Sequence, residues 1–341
     1  MRKQFIRNGL IMLIFALLLA ACGKKSDTDV VKEMEKTLNN LTDYQAEAEM
    51  TMNTGQEEQI YEVSIWHKKE DFYRIALNNP INEKAGQIIL KNKDGVFVLT
   101  PTLNKSYKFQ TDWPDNSSQP YLYESLLKDI VDDETAEFQE TDTHYVFKTK
   151  TNYRSNQNLP YQEVYIDKKL FTPTNVNVLD SDQQPVVQVK FTQFELNNNL
   201  VAEDFSLEKN KQAEQIDEET IATDEEQMTD PLAIFFPLFT AGAELDEMKE
   251  ISLDNGERVI MTFAGEKNFT LVQEKQHTLP TMTHSEEMVG DIVDLGFAIG
   301  ALANNKLEWV YEGTEFLLAS EELTKNELIE VAKSIQGRAT K

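Results

Sequence analysis

Apolar and polar residues alternate from Tyr44 to Met52: Tyr44, Ala46, Ala48, Met50 and Met52 are separated by Gln45, Glu47, Glu49 and Thr51. A period of two sends successive side chains to opposite faces of a strand, so this stretch predicts a strand half buried against a core. The same alternation predicts strands at Tyr61 to Ile65, Phe72 to Leu77 and Gln87 to Leu90, the last turning at Asn92-Lys93-Asp94-Gly95 into Val96 to Thr100. Pro101 to Lys105 turns the chain again into Ser106 to Gln110. Short strands joined by tight turns describe an antiparallel meander.

Helical spacing appears on either side of this meander. Val30, Met34, Leu38 and Leu41 predict an amphipathic helix with Asp27 as its cap, and Leu122, Leu126, Leu127 and Ile130 predict one after Pro120 that covers the sheet. Strands resume at His144 to Lys150, Gln162 to Asp167, Pro173 to Asp180 and Val186 to Glu195. From residue 203 to 230 the chain is polar and acidic, without an aromatic residue after Phe205, as in a linker.

Beyond it, Leu232 to Phe239 is apolar but far shorter than the roughly 20 residues of a spanning helix, and Pro237 interrupts it, which predicts a buried helix or lid. Val259 to Phe263 and Asn268 to Glu274 predict a hairpin, as do Lys306 to Tyr311 and Glu315 to Ala319. Thr324 and Glu327 have capping-box spacing, Leu323 and Leu328 that of a hydrophobic staple, and Gly337 is placed to stop the helix. The fold class expected is α+β. Residues 1–21 form a leader, 22–27 a tether, 28–208 a first domain, 209–230 an acidic linker and 231–341 a small second domain.

The leader sets the compartment. Arg2, Lys3 and Arg7 precede an apolar run over residues 9–21 that is too short to span a bilayer. Leu19-Ala20-Ala21-Cys22 matches the bacterial lipobox, which predicts cleavage before Cys22 and a lipid on its thiol. The alternative is an ordinary secretory leader with an incidental cysteine. The expected location is the extracytoplasmic face of the cell membrane, with the bilayer held through Cys22 acylation; two acyl chains anchor stably where one does not. The formal net charge of −26 becomes three units more negative once the leader is lost. Such a field repels phosphate backbones, so nucleic acid is excluded as a partner.

Catalytic chemistry finds little support. The single cysteine is committed to lipid, and no Gly-x-Ser-x-Gly elbow is present. Gly296 and Gly300 lack the Lys-Ser/Thr of a phosphate loop and fit close backbone packing better. Of the histidines, His67 and His144 lie in strands, and His277 and His284 flank Pro280; His284 with Glu287 lacks a third metal ligand. Asp132-Asp133-Glu134 reads as a solvated turn rather than a calcium loop. No cofactor and no metal are expected.

The aromatic residues of the first domain admit two readings, an ordinary core or a concave apolar groove. The groove candidates are Met50, Met52, Ile65, Phe72, Val98 and Phe109 on strands, with Trp113, Leu122 and Leu126 at the lid; Lys69 and Arg74 mark a basic turn.

The order of segments resembles the LolA/LolB-like superfamily. The resemblance is carried by Trp66-His67-Lys68-Lys69-Glu70-Asp71-Phe72-Tyr73-Arg74, by Lys93-Asp94-Gly95-Val96-Phe97-Val98-Leu99-Thr100-Pro101 and by Gln119-Pro120-Tyr121-Leu122-Tyr123-Glu124-Ser125-Leu126-Leu127. Phe171-Thr172-Pro173 to Val178 and Phe191 to Phe205 look like its closing strands, so that about residues 28–208 are covered. The resemblance implies a half-open antiparallel β-barrel whose helices lid an apolar cavity. With the second domain, the chain resembles the two-domain, sporulation-associated YdcC type of Gram-positive lipoprotein. The function implied is non-catalytic binding of a lipid, acylated protein or other apolar ligand. The alternative is a protein-interaction module for an envelope or sporulation partner.

Overall fold

The computed structural model describes residues 25–53, 58–80, 82–101, 105–109, 113–114, 118–153, 159–211, 232–254, 256–276, 286–288, 290–295, 298–311 and 313–336. The expected leader, Cys22, most of the expected linker, His277, His284, Gly296 and Gly337 lie outside them.

Helix α1 spans Asp27–Asn40. Its cap is Ser26, not Asp27: the Ser26 hydroxyl accepts from the amide of Asp29 at 3.2 Å, and the Asp29 carboxylate accepts in return. A serine three residues before an acid satisfies two orphan helix donors at once, which an Asp27 cap would not. Strands β1 (Asp43–Met52), β2 (Gln59–Lys68), β3 (Phe72–Asn79), β4 (Asn82–Asn92), β5 (Gly95–Thr100) and β6 (Lys105–Phe109) then run as the expected meander. Helix α2 (Tyr123–Asp132) interrupts them before β7 (Glu137–Glu140), β8 (His144–Lys150), β9 (Tyr161–Asp167), β10 (Pro173–Leu179) and β11 (Pro185–Leu196).

These strands form one sheet in which β11 returns to pair antiparallel with β1, giving the order β6-β5-β4-β3-β2-β1-β11-β10-β9-β8-β7. The sheet is open and is not closed into a barrel: its ends are β7 and a short strand β15 (Glu286–Met288), which comes from the far part of the chain and lies parallel to β6. The inner face carries the alternate apolar residues read from the sequence, among them Ala46, Met50, Val63, Ile65, Ile75, Ile89 and Val98, all in one buried cluster with Val30 and Met34 of α1 and Leu126 and Ile130 of α2. Both helices therefore cover one face.

The outer face is also partly covered. Leu200, Leu207 and Phe205, the last in a 3-10 turn at Ala202–Phe205, pack on Phe72, Ala76, Leu90 and Phe97. Asn92 Nδ2 donates to the Phe205 carbonyl at 2.8 Å. The chain thus stays folded through residue 211, past the point where its polar composition suggests a linker.

A second, seven-stranded sheet has the order β12-β13-β14-β19-β18-β17-β16, with β12 (Ala243–Leu253), β13 (Gly256–Gly265), β14 (Phe269–Gln276), β16 (Asp291–Asp294), β17 (Ile299–Ala303), β18 (Lys306–Tyr311) and β19 (Thr314–Ala319). Asn304 and Asn305 both take positive φ between β17 and β18, as a two-residue hairpin turn demands. Helix α3 (Lys325–Lys333) starts at the expected capping box, with Thr324 and Glu327 bonded in both directions, and buries Leu328, Ile329, Val331 and Ala332. Residues 232–239 form no helix. They are irregular apart from an isolated bridge at Phe235, which they bury, and they leave Leu238 and Phe239 exposed; Pro237 supplies no amide and biases its predecessor away from helix.

Candidate functional site

The inner face of the first sheet is filled by the protein's own side chains. Met50, Met52, Ile65, Val98 and Phe109 all point there and are buried, and Trp113, Leu122 and Leu126 close over them. Phe72 does not belong with them: register pairs it with Lys68, and it lies on the outer face with its ring 5.6 Å from that of Phe205. The two basic residues also separate. Lys69 Nζ donates to the Asn39 carbonyl at the end of α1 at 2.5 Å. Arg74 sits outside, over the Trp66 ring and donating to Asn210 Oδ1 at 2.6 Å.

Polar groups clasp α2 onto this face at both ends. Near its start, Tyr44 donates to Glu124 Oε2 at 2.9 Å and His67 Nε2 lies 3.1 Å from Glu124 Oε1, with the His67 ring against those of Tyr44 and Tyr73. Burial holds His67 below its ordinary pKa against the opposing pull of Glu124. Desolvation likewise raises Tyr44 well above the usual phenol value, so it stays protonated and donates to Glu124. Near the end of α2, Gln162 Nε2 donates to Asp129 Oδ2 at 2.8 Å and Thr149 to the Asp129 carbonyl at 2.9 Å. Burial pushes the Asp129 carboxyl up to about 6 although Ser118 and Gln162 bond to it. Asp133 is no solvated turn residue: it accepts from Thr135 and from the Lys150 amide.

An open space lies between the two sheets. A cavity of about 360 Å³ is bounded on one side by Gln87, Val98, Thr100, Tyr107 and Phe109 of β4 to β6, and on the other by residues of β13, β14, β17, β18 and β19 that include Ile260, Ile299, Trp309 and Phe316. The sheets are joined beside it by Gln87, whose Oε1 accepts from the Ile299 amide at 2.6 Å and whose Nε2 reaches the Ile299 carbonyl at 3.5 Å. This side chain acts as one rung of a strand ladder. Arg258 lies on the far wall, its Nε 2.7 Å and Nη2 2.5 Å from Glu274 Oε2. Trp309 stacks on Phe316 at 4.9 Å with a 4° interplanar angle.

Of the groove candidates, Val98 and Phe109 border this cavity; the others belong to the packed interior or, for Phe72, the outer face. Gln87, Thr100, Arg258, Ile260, Glu274 and Trp309 carried no local signal in the sequence, because their role depends on a pairing of sheets about two hundred residues apart. Gly300 does serve close packing, since a Cβ there would lie 2.9 Å from Leu307 Cδ1. Among the described residues no group of three or more His, Cys, Asp or Glu side chains is arranged to hold a metal, and no helix is long and apolar enough to cross a membrane.

The model of the sporulation protein YdcC-like family matches residues 2–205. Sporulation protein YdcC of Bacillus subtilis (strain 168) is 45% identical over 341 residues, covering 100% of this chain and 99% of the relative. Among solved structures, the MucA/MucB complex of Pseudomonas aeruginosa matches at 14% identity over 90% of this chain and 100% of that one, with a TM-score of 0.34. A LolA superfamily protein from Nitrosomonas europaea matches at 10% identity over 55% of this chain and 100% of its own, with a TM-score of 0.32. A relative this similar along its whole length, together with the family match, shows that the chain belongs to the sporulation protein YdcC-like family.

Proposed function

We propose that the protein is a non-catalytic binding protein, held at the extracytoplasmic face of the cell membrane by lipid on Cys22, that takes an apolar ligand between its two sheets. A role in sporulation accompanies this reading, by kinship with the Bacillus subtilis relative. The observation that carries it is the position of an open space: the described residues of the first sheet's inner face are packed in one buried cluster, whereas Val98, Phe109, Ile260 and Ile299 line a cavity of about 360 Å³. That volume is at the lower end of the range, roughly 300–1,000 Å³, in which small-molecule sites fall.

The test is native mass spectrometry of the chain from residue 22 onward with Cys22→Ala, purified gently and compared with its denatured mass. A bound apolar molecule, lost when half-buried Ile260 is replaced by Trp, is the expected result. A bare chain that takes up no added lipid overturns it.

One feature favours protein interaction as a second reading. Strand β12 is the edge of the second sheet, is exposed along nearly all its length, and presents Leu245, Met248 and Ile251 at 38–43% exposure among acidic neighbours. An exposed edge offers unpaired backbone groups to another strand. Retained binding of an envelope protein by the Ile260→Trp variant, with no ligand in the wild type, would favour this reading.

A further inference from the structure

The start of the folded chain lies at one end of the first sheet. Helix α1 is fixed over the inner face by Val30 and Met34, both fully buried, and Ser26 caps it, so Lys25 just before the cap has a defined place. The Lys25 ammonium lies 4.4 Å from the centre of the Phe171 ring, in the turn between β9 and β10. Cys22 is three residues before Lys25, and three residues of fully extended chain span at most about 11 Å. A lipid on Cys22 would therefore keep this turn close to the bilayer.

The turn is built as a rigid projection. Asp167 Oδ1 accepts from the amides of Lys169 and Leu170 at 2.7 and 2.8 Å, and the Phe171 amide donates to the Asp167 carbonyl at 3.0 Å. Phe171 takes a φ of 56°, a left-handed conformation that bulky side chains rarely adopt. Its carbonyl accepts from the Tyr123 hydroxyl and its ring stacks on Tyr145, so the surroundings hold the strain in place. What this frame presents to solvent is Leu170, 55% exposed. A single exposed leucine is ordinary on a protein surface. This one is set apart by its place, held out by a strained turn within reach of the anchor.

Charge at this pole is mixed. Lys25, Lys168 and Lys169 stand among Asp27, Asp29, Glu140, Asp142 and Asp167, with Lys168 held by Glu140 at 2.8 Å and Asp142 in the neighbouring turn between β7 and β8. Attraction to anionic headgroups therefore contributes little, and the tether and Leu170 make the contact.

Resting on the lipid anchor assigned to Cys22 above, we propose that the protein stands on the membrane with this pole down, the β9–β10 turn facing the phospholipid bilayer and Leu170 entering its interface.

Cys22 is the only cysteine of the chain, so once its thiol carries lipid an introduced cysteine is labelled alone. Leu170→Cys and Asp182→Cys place an environment-sensitive dye near the two ends of β10, roughly 20 Å apart at 3.3 Å per residue, and both positions are exposed, so neither substitution touches the core. The full chain is expressed in a bacterial host, extracted with its lipid, labelled, and added to preformed phosphatidylcholine vesicles. On the vesicles the dye at position 170 should emit further to the blue than the dye at 182 and be quenched severalfold less by iodide.

Equal quenching at the two positions in a vesicle-bound chain overturns the orientation and leaves the anchor in place. Protection of position 182 instead puts the opposite pole on the membrane and overturns the orientation as well. A parent chain whose Cys22 itself takes the dye, and which does not float with the vesicles, carries no lipid and overturns the anchor.

Discussion

Gln273 holds Phe235 by both of its backbone groups: Oε1 accepts from the Phe235 amide at 2.9 Å and Nε2 donates to its carbonyl at 2.6 Å. The glutamine is completely buried, and the Phe235 ring it positions meets Tyr311 and Phe316 edge-on. An irregular segment is thereby tied to the second sheet without joining it as a strand. Gln273→Leu fills the same space with an apolar side chain but strands a buried N–H and C=O, each costing about 1–3 kcal/mol. The expected loss is about 2–6 kcal/mol, read as a lowered urea midpoint. A loss below about 1 kcal/mol would mean that water replaces the amide.

Asp129 makes the protein more stable toward mild acid. Its folded pKa of about 6 lies above the ordinary carboxyl value of 3.8, because burial outweighs its hydrogen bonds. The folded state therefore holds this proton more tightly, so the contribution is fully present below 3.8 and is lost as pH rises through 6. Its full extent is at most about 3 kcal/mol, at 1.36 kcal/mol per unit. Asp129→Asn should be more stable than the parent at pH 8 and about equal to it at pH 4, by chemical denaturation at both values.

His67 works in the opposite sense. Burial holds its folded pKa below 6.5, so the unfolded chain takes up the proton first and stability falls as pH drops below 6.5. The groups around it, Tyr44, Tyr73, Glu124, Asp43 and Asp71, include carboxylates that reduce this loss without reversing it. Between pH 6.5 and 4 the two residues oppose one another across α2. His67→Gln should steepen the gain of stability on acidification, and the double variant with Asp129→Asn should be flatter than either. A single variant indistinguishable from the parent across pH 4–8 would remove His67 from the balance.

The meander was legible because each of its strands satisfies a two-residue period by itself, and α3 because Thr324 and Glu327 declare its start locally. Other elements depend on distant partners. Strand β12 reads as polar because both its faces are exposed, so it has no alternation to detect. Phe72 was placed on the inner face by its aromatic character, yet register with Lys68 sends it outward. The cavity was invisible for a related reason: its two walls, with Val98 and Phe109 on one sheet and Ile260 and Val272 on the other, face each other only when Gln87 joins the sheets at Ile299. Composition misled at residues 203–211, where a polar stretch conceals one decisive apolar residue.

That residue is Phe205. It is fully buried, its ring lies against Phe72 and its carbonyl accepts from Asn92, while Asn210 further along accepts from Arg74. The outer face of β3 to β5 would otherwise expose Phe72, Leu90 and Phe97, an apolar patch of the kind that drives association. Removing a buried phenyl ring costs about 3–5 kcal/mol when the surroundings cannot collapse; at the edge of a small cluster the lower figure applies. Phe205→Ala should therefore lower stability by about 3 kcal/mol and expose the outer face to a hydrophobic dye, while leaving the inner face and the cavity unchanged. A thermal midpoint unaffected by the substitution would return residues 203–211 to the linker that their composition describes.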